Sequence, residues 1–127
     1  MSERHLILVV EDNELNLKLV RDVLSHAGFD VIEATTGERC VELAAECGPD
    51  LVLMDLQLPG IDGTETMRRL RSDPRTHEMP VVAVTAFAMA EDRAQALSSG
   101  FDGYVAKPIS VRELPSQVRS FLPGGPA

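Results

Sequence analysis

The sequence lacks tryptophan, long apolar runs and an excess of basic residues, and each absence bears on function. No apolar run approaches the roughly 20 residues needed to cross a bilayer, so we expect no membrane insertion and a cytoplasmic location. Twenty acidic residues against 12 basic ones leave a net charge of −8. This charge disfavours the phosphate backbone of nucleic acids and anionic lipid as direct partners.

Cysteine and histidine are also scarce. Cys40 and Cys47 lie on one predicted helix at a separation of about 10 Å along its axis, which is too far for a disulfide. We expect both to be reduced and to lie in or near the core. With no Cys-x-x-Cys pair and only three scattered histidines, a zinc site is not expected.

The length of 127 residues suits one domain, with ordinary apolar (44%) and charged (25%) fractions. We assign residues 1–122 to this domain and residues 123–127, Pro-Gly-Gly-Pro-Ala, to a flexible tail. The basic stretch Arg68–Arg71 with Arg75 is typical of a solvated helix face rather than a binding patch.

Apolar runs alternate with helical patterns five times along the chain. Strands are predicted at 6–10, 30–34, 51–54, 81–85 and 104–106. Helices are predicted at 13–28, 37–47, 63–71, 91–99 and from 110 to about 121. This alternation predicts an α/β fold in which a parallel sheet is covered by helices on both faces.

The first and last helices carry specific end signals. Asn13 is a predicted N-cap, and the core stripe of the first helix is predicted to be Leu15, Leu19, Val20, Val23 and Leu24, which leaves Leu17 facing solvent. Ser110 and Glu113 form a potential capping box that opens the last helix. Pro115 would then be the fifth helical residue, where it removes one backbone hydrogen bond.

Polar side chains directly follow four of the predicted strands. They are Glu11, Asp12, Asp55, Thr85 and Lys107. In open parallel sheets, ligands bind beyond the carboxyl ends of the strands, so we expect these five side chains to share one edge.

Three carboxylates at one edge repel one another, which makes a purely structural role for all three difficult to sustain. Such a cluster suits Mg²⁺, which prefers carboxylates or carbonyls together with water and a phosphate oxygen. Lys107 adds a compact positive charge and Thr85 a hydroxyl donor. Asp55 is then the best candidate for a carboxylate that attacks a phosphoryl group.

Four segments carry a family resemblance: Val9–Asn16, Leu53–Gly63, Val82–Ala88 and Tyr104–Ser110. In this order they resemble the motifs of receiver domains of two-component response regulators, and the resemblance spans residues 6 to 122. It implies the flavodoxin-like, doubly wound (βα)5 three-layer sandwich seen in chemotaxis receivers. The strand order 2-1-3-4-5 is likewise implied by the resemblance, because periodicity does not reveal strand order.

The resemblance also implies roles for individual residues. Asp55 would be the phosphoacceptor, and Thr85 and Lys107 would bind the phosphoryl group. The Mg²⁺ ligands would be Asp12, Asp55 and the backbone carbonyl of Gln57, with Glu11 acting through water and Mn²⁺ as a possible substitute. Tyr104 occupies the position of the switch aromatic that moves with Thr85. Lys107 precedes Pro108, and this bond is a candidate for a cis peptide.

The function implied is that of a single-domain response regulator, a signalling protein rather than an enzyme. Its phosphoryl donors would be histidine kinases or histidine phosphotransfer proteins. The surface of the fourth helix, fifth strand and fifth helix would regulate a downstream protein, expected to be a kinase in cell-cycle or developmental control. We expect a monomer or weak dimer, with recruitment to a cell pole or a membrane kinase as a further option.

Three other functions are compatible with a strand-end aspartate or with this fold class. A phosphatase of the haloacid dehalogenase class needs a second aspartate where Gln57 stands. A flavodoxin-type module needs a Ser/Thr-rich phosphate loop after the first strand and aromatic residues over the flavin ring; the segment Glu11–Asn16 and an aromatic content of 4% argue against it. The remaining alternative is a receiver-like interaction module that works without phosphorylation.

Overall fold

The computed structural model describes residues 5–56, 58, 60–61, 63–85 and 100–122. The helix predicted over Glu91–Ser99, the tail from residue 123, and Gln57 lie outside the described residues. The strands are β1 (Leu6–Val10), β2 (Asp30–Ala34), β3 (Leu51–Asp55), β4 (Val81–Thr85) and β5 (Gly103–Ala106). The described helices are α1 (Glu14–His26), α2 (Gly37–Cys47), α3 (Gly63–Ser72) and α4 (Leu114–Phe121).

The five strands form one parallel sheet in the order β2-β1-β3-β4-β5, which confirms the order implied by the sequence resemblance. Val10 of β1 lies opposite Met54 of β3, and Asp55 lies opposite Val84 of β4. All residues of β3 and β4 are buried, as expected for central strands that are covered on both faces.

Two hydrophobic cores lie on opposite faces of the sheet. Alternation along β1 sends Ile7 and Val9 to the core under α1 and α4, and Leu8 and Val10 to the core under α2 and α3. The structure is therefore the three-layer α/β sandwich expected from the alternating pattern. Within the described residues no helix is both long and apolar enough to cross a membrane.

Helix α1 presents a different stripe to the sheet from the one predicted. Asn13 is the N-cap as predicted, and its side chain accepts hydrogen bonds from the N–H groups of Leu15 and Asn16. The buried residues, however, are Leu17, Val20 and Leu24, whereas Leu15 is 80% exposed. The helix carries two overlapping apolar stripes, and periodicity alone does not tell which of them contacts the sheet. The prediction of a solvent-facing Leu17 was wrong for this reason.

Helix α4 starts one turn later than predicted. Ser110 Oγ does accept the N–H of Glu113 at 3.2 Å, but residues 111–113 form a turn and the helix begins at Leu114. Pro115 is therefore in the first helical turn, where proline breaks no intrahelical hydrogen bond. Proline thus sets the start of α4, and the expected loss of a hydrogen bond does not occur.

Helix α2 has the bounds predicted from the sequence. Thr36 caps its first turn, and Gly48 ends it in the left-handed conformation at φ 59°. Both cysteines of this helix are free; Cys40 is buried but Cys47 is exposed. The expectation that Cys47 lies in or near the core was wrong, because the last turn of α2 reaches the surface.

Candidate functional site

The carboxyl ends of four neighbouring strands bring the candidate side chains to one edge of the sheet. Glu11 and Asp12 follow β1, Asp55 and Thr85 are the last residues of β3 and β4, and Lys107 follows β5. Thr85 pairs with Ala106, so the end of β5 is level with the end of β4. The strand order is what makes residues distant in sequence neighbours in space.

Three carboxylates form the centre of this site. Glu11, Asp12 and Asp55 each offer an oxygen atom, and these three atoms lie within 4.8 Å of one another. Glu11 and Asp55 are each only 4% exposed, whereas Asp12 is exposed and forms the solvent side of the cluster. An all-oxygen donor set that is open to water on one side fits a hard cation such as Mg²⁺, which retains several waters.

Lys107 reaches this cluster from the end of β5. Its Nζ lies 2.8 Å from Asp55 Oδ2 and 3.3 Å from Glu11 Oε2. Its backbone N–H donates to the carbonyl of Thr85 at 2.8 Å, and the Lys107–Pro108 peptide bond is cis. The Lys107 side chain is only 22% exposed, so its ammonium group is directed into the cluster rather than into solvent.

The ionisation of Glu11 and Lys107 reflects this crowding. Burial and a hydrogen bond with Asp55, which needs a proton on Glu11, raise the Glu11 pKa; the Asn13 N–H and Lys107 oppose the rise. Burial works against the Lys107 ammonium, but its bond to Asp55 and the charges of Asp55 and Glu11 outweigh burial and raise its pKa. The site therefore holds more negative charge than one lysine neutralises.

Thr85 lies on β4, the strand beside Asp55, and Tyr104 lies on β5, one strand further out. Thr85 is buried at the end of β4. Tyr104 is half-buried, packs against the core under α2 and α3, and pairs in register with Ala83. The structure thus places all five strand-end residues at the carboxyl ends of the strands. Tyr104 lies on β5, the outermost strand next to β4.

A shallow cavity of about 350 Å³ adjoins Lys107 and was not foreseen from the sequence. It is lined by Asn16, Leu19, Lys107, Pro108 and Ile109. Leu19 was predicted to be a core residue but is 37% exposed at this cavity. Asn16, in the first turn of α1, was the available signal, but the apolar periodicity of the helix outweighed it.

A parallel 2-1-3-4-5 sheet with an acidic cluster and a lysine at its carboxyl edge defines the receiver class of signalling domains. Residues 7–119 match the response regulator receiver domain, and the chain belongs to this family. Receiver domains act in two-component signalling, bind Mg²⁺ at their acidic pocket, and interact with histidine kinases and phosphotransfer proteins.

One curated relative and two solved structures show which members of the family this chain resembles. The chain is 42% identical to the polar-differentiation response regulator DivK of Brucella ovis, over 91% of this chain and 94% of that protein. A receiver domain of a Pseudomonas aeruginosa sensor histidine kinase, solved with a magnesium ion in its active-site cleft, is 32% identical (TM-score 0.85), covering 94% of this chain and 98% of that one. A Vibrio cholerae chemotaxis response regulator has a TM-score of 0.89, covering 94% of this chain and 100% of that one; its 22% identity supports the fold alone.

Proposed function

We propose that this protein is a single-domain response regulator that accepts a phosphoryl group on Asp55. The observation that carries the proposal is the position of the Asp55 carboxylate, between Lys107 at 2.8 Å and the carboxylates of Glu11 and Asp12. A nearly buried carboxylate with one cationic and two anionic neighbours has the setting that phosphoryl transfer to an aspartate requires.

The acidic cluster would hold one Mg²⁺, with Mn²⁺ as a substitute. Its ligands would be Asp12, Asp55 and the backbone carbonyl of Gln57, with Glu11 acting through water. When bound, the cation would neutralise negative charge on the carboxylates and on the incoming phosphoryl oxygens. The close approach of three carboxylate oxygens supports this assignment.

The donor would be a phosphohistidine of a histidine kinase or phosphotransfer protein. An Asp55 oxygen attacks phosphorus, an O–P bond forms, and the P–N bond breaks with its electron pair leaving on the imidazole nitrogen. Lys107 and Thr85 would then bind the phosphoryl oxygens, so the Lys107 ammonium exchanges one anionic partner for a more highly charged one. The reaction consumes no further substrate, and its product is the modified protein.

The readout would be a change of surface. Phosphorylation adds a charge close to −2 at Asp55, draws Thr85 and Lys107 toward it, and lets Tyr104 turn inward. The surface that contains β5 and α4 would then bind a downstream protein. The domain that carries this surface would span residues 1–122. Similarity to the polar-differentiation regulator DivK supports a downstream partner that acts in the cell cycle or in polar development. Recruitment of this protein to a cell pole would fit such a role.

Intact-mass analysis after incubation with acetyl phosphate and Mg²⁺ tests the proposal directly. Wild type should gain one phosphoryl group, and chelation of Mg²⁺ should abolish the adduct. Asp55→Asn should gain none. The matched control Asp22→Asn removes an exposed carboxylate from α1 and should be modified like wild type.

The same experiment distinguishes a phosphorylated response regulator from the alternative, an interaction module that works without phosphorylation. A wild-type protein that gains no phosphoryl group from acetyl phosphate, or from any phosphorylated histidine kinase of its organism, would be a phosphorylation-independent interaction module. An adduct that persists in Asp55→Asn would place the phosphoacceptor elsewhere.

A further inference from the structure

Strand β5 is a weakly held element that carries two residues of the proposed switch. It has only four residues, and among the described strands it pairs with β4 alone. It contains Tyr104 and leads directly to Lys107. A short edge strand with hydrogen bonds on one side is held less firmly than the central strands, so its position needs support from elsewhere.

Arg71, at the end of α3, provides such support at the amino-terminal ends of β4 and β5, the ends opposite the acidic cluster. Its guanidinium donates to the carbonyls of His77 and Met79 at 3.0 and 2.6 Å. It also donates to the Gly100 carbonyl at 3.2 Å and to Asp102 Oδ2 at 3.0 Å. One side chain therefore joins α3, the loop before β4 and the segment that enters β5.

Asp102 completes this connection. The oxygen that accepts from Arg71 also accepts the backbone N–H of Val81 at 2.8 Å, and the Asp102 N–H donates to the Val81 carbonyl at 2.8 Å. Asp102 immediately precedes β5, and Val81 is the first residue of β4. The Arg71–Asp102 pair thus fastens the start of β5 to the start of β4.

The neighbouring arginines do something different. Arg68 and Arg69 both pair with Glu65 on the exposed side of α3, as expected for a solvated helix face. The Arg71 side chain is only 26% exposed, and its acceptors come from two other parts of the chain, the loop before β4 and the segment before β5. The basic stretch of the sequence therefore divides into surface pairs and one long-range connector.

We propose that Arg71 is a positioning residue for β5: by holding Asp102 it fixes the strand on which Tyr104 and Lys107 depend. The link to signalling rests on the proposed function, in which Tyr104 responds to phosphorylation of Asp55. With the start of β5 held, the response at Tyr104 is a side-chain movement. Without this anchor the strand has a second position, and the orientation of Tyr104 no longer follows the state of Asp55.

Tyrosine fluorescence offers a direct readout, because the sequence contains one tyrosine and no tryptophan. Wild type, Arg71→Gln and Arg71→Lys are compared before and after acetyl phosphate and Mg²⁺, with the adduct measured by intact mass. The matched control is Arg21→Gln, which removes an arginine bonded to Glu33 on β2, at the far edge of the sheet.

We expect Arg71→Gln to form the adduct to the wild-type extent but to keep about half or less of the fluorescence change, as for two similarly populated strand positions. Arg71→Lys should show a fluorescence change between those of Arg71→Gln and wild type, since an ammonium group cannot reach all four acceptors. Arg21→Gln should respond fully. An equal response in all variants, or an adduct in wild type without a fluorescence change, would overturn the inference.

Hydrogen exchange decides the positioning role without any phosphorylation. In Arg71→Gln, amides of residues 103–107 should exchange about tenfold faster while those of β1 and β3 do not change. Uniform acceleration across the sheet, or none at β5, would refute the role. Absence of the wild-type adduct refutes the proposed function alone, and the exchange data still test Arg71.

Discussion

Replacement of Lys107 by methionine tests how far the acidic cluster depends on one ammonium group. That group lies 2.8 Å from Asp55 and 3.3 Å from Glu11, whose side chains are each 5% exposed. At an effective dielectric constant of about 20, these distances correspond to attractions of about 6 and 5 kcal/mol. Lysine desolvation and the raised pKa of Glu11 offset much of this sum. We expect Lys107→Met to lower the free energy of unfolding by about 2 to 4 kcal/mol without divalent cations.

Urea unfolding followed by circular dichroism, at neutral pH in a chelator, measures this loss. Lys18→Met is a matched control, because Lys18 is the only other lysine and is exposed on α1. It should change the free energy of unfolding by less than about 0.5 kcal/mol. If the two variants unfold at the same urea concentration, desolvation of Lys107 cancels its attractions and the charge argument fails.

Mg²⁺ provides the complementary measurement on the same variants. A cation that binds only the folded state stabilises it by RT ln(1 + [Mg²⁺]/Kd), so the gain increases with the affinity of the site. Since Lys107→Met removes a positive charge that competes for the same carboxylates, Mg²⁺ should stabilise this variant more than it stabilises wild type. Equal stabilisation of the two proteins would mean that the lysine and the cation do not share the cluster.

Three further predictions concern regions outside the site. Burial raises the Cys40 pKa to about 12, whereas Cys47 is exposed. A disulfide reagent should therefore modify only Cys47 in the native protein and reach Cys40 on unfolding. Rapid modification of both thiols in the native protein would contradict this. Gly37→Ala should lower the free energy of unfolding by about 1 to 3 kcal/mol, because the added Cβ would overlap the Thr66 side chain. An unchanged midpoint in urea would show that α2 and α3 can move apart without loss of stability. Hydrogen bonds from two arginines lower the Glu65 pKa to about 2, below the ordinary 4.5, so its stabilisation is present above pH 4.5 and is lost as pH falls toward 2. The melting temperatures of wild type and Glu65→Gln should therefore converge in acid, and a difference independent of pH would refute the role of this charge.

Local signals predicted the elements well where the end residues are distinctive. Helix α2 has the predicted bounds, and both of its ends are fixed by single residues: Thr36 caps the first turn and Gly48 ends the last one in the left-handed conformation. The prediction failed where local signals compete. In α1 two apolar stripes overlap, and in the segment before α4 the capping serine was outweighed by Pro115.

The sequence by itself determined that polar residues end the buried strands, because apolar periodicity and strand ends are properties of neighbouring residues. It also carried the motifs that identify the receiver family. Only the tertiary structure decided that the carboxylate of Asp55 meets the ammonium of Lys107, 52 residues away, and that Arg71 reaches Asp102. These contacts depend on strand order and on the approach of the end of α3 to the segments that precede β4 and β5. They join segments far apart in the chain, so no local pattern of residues contains them.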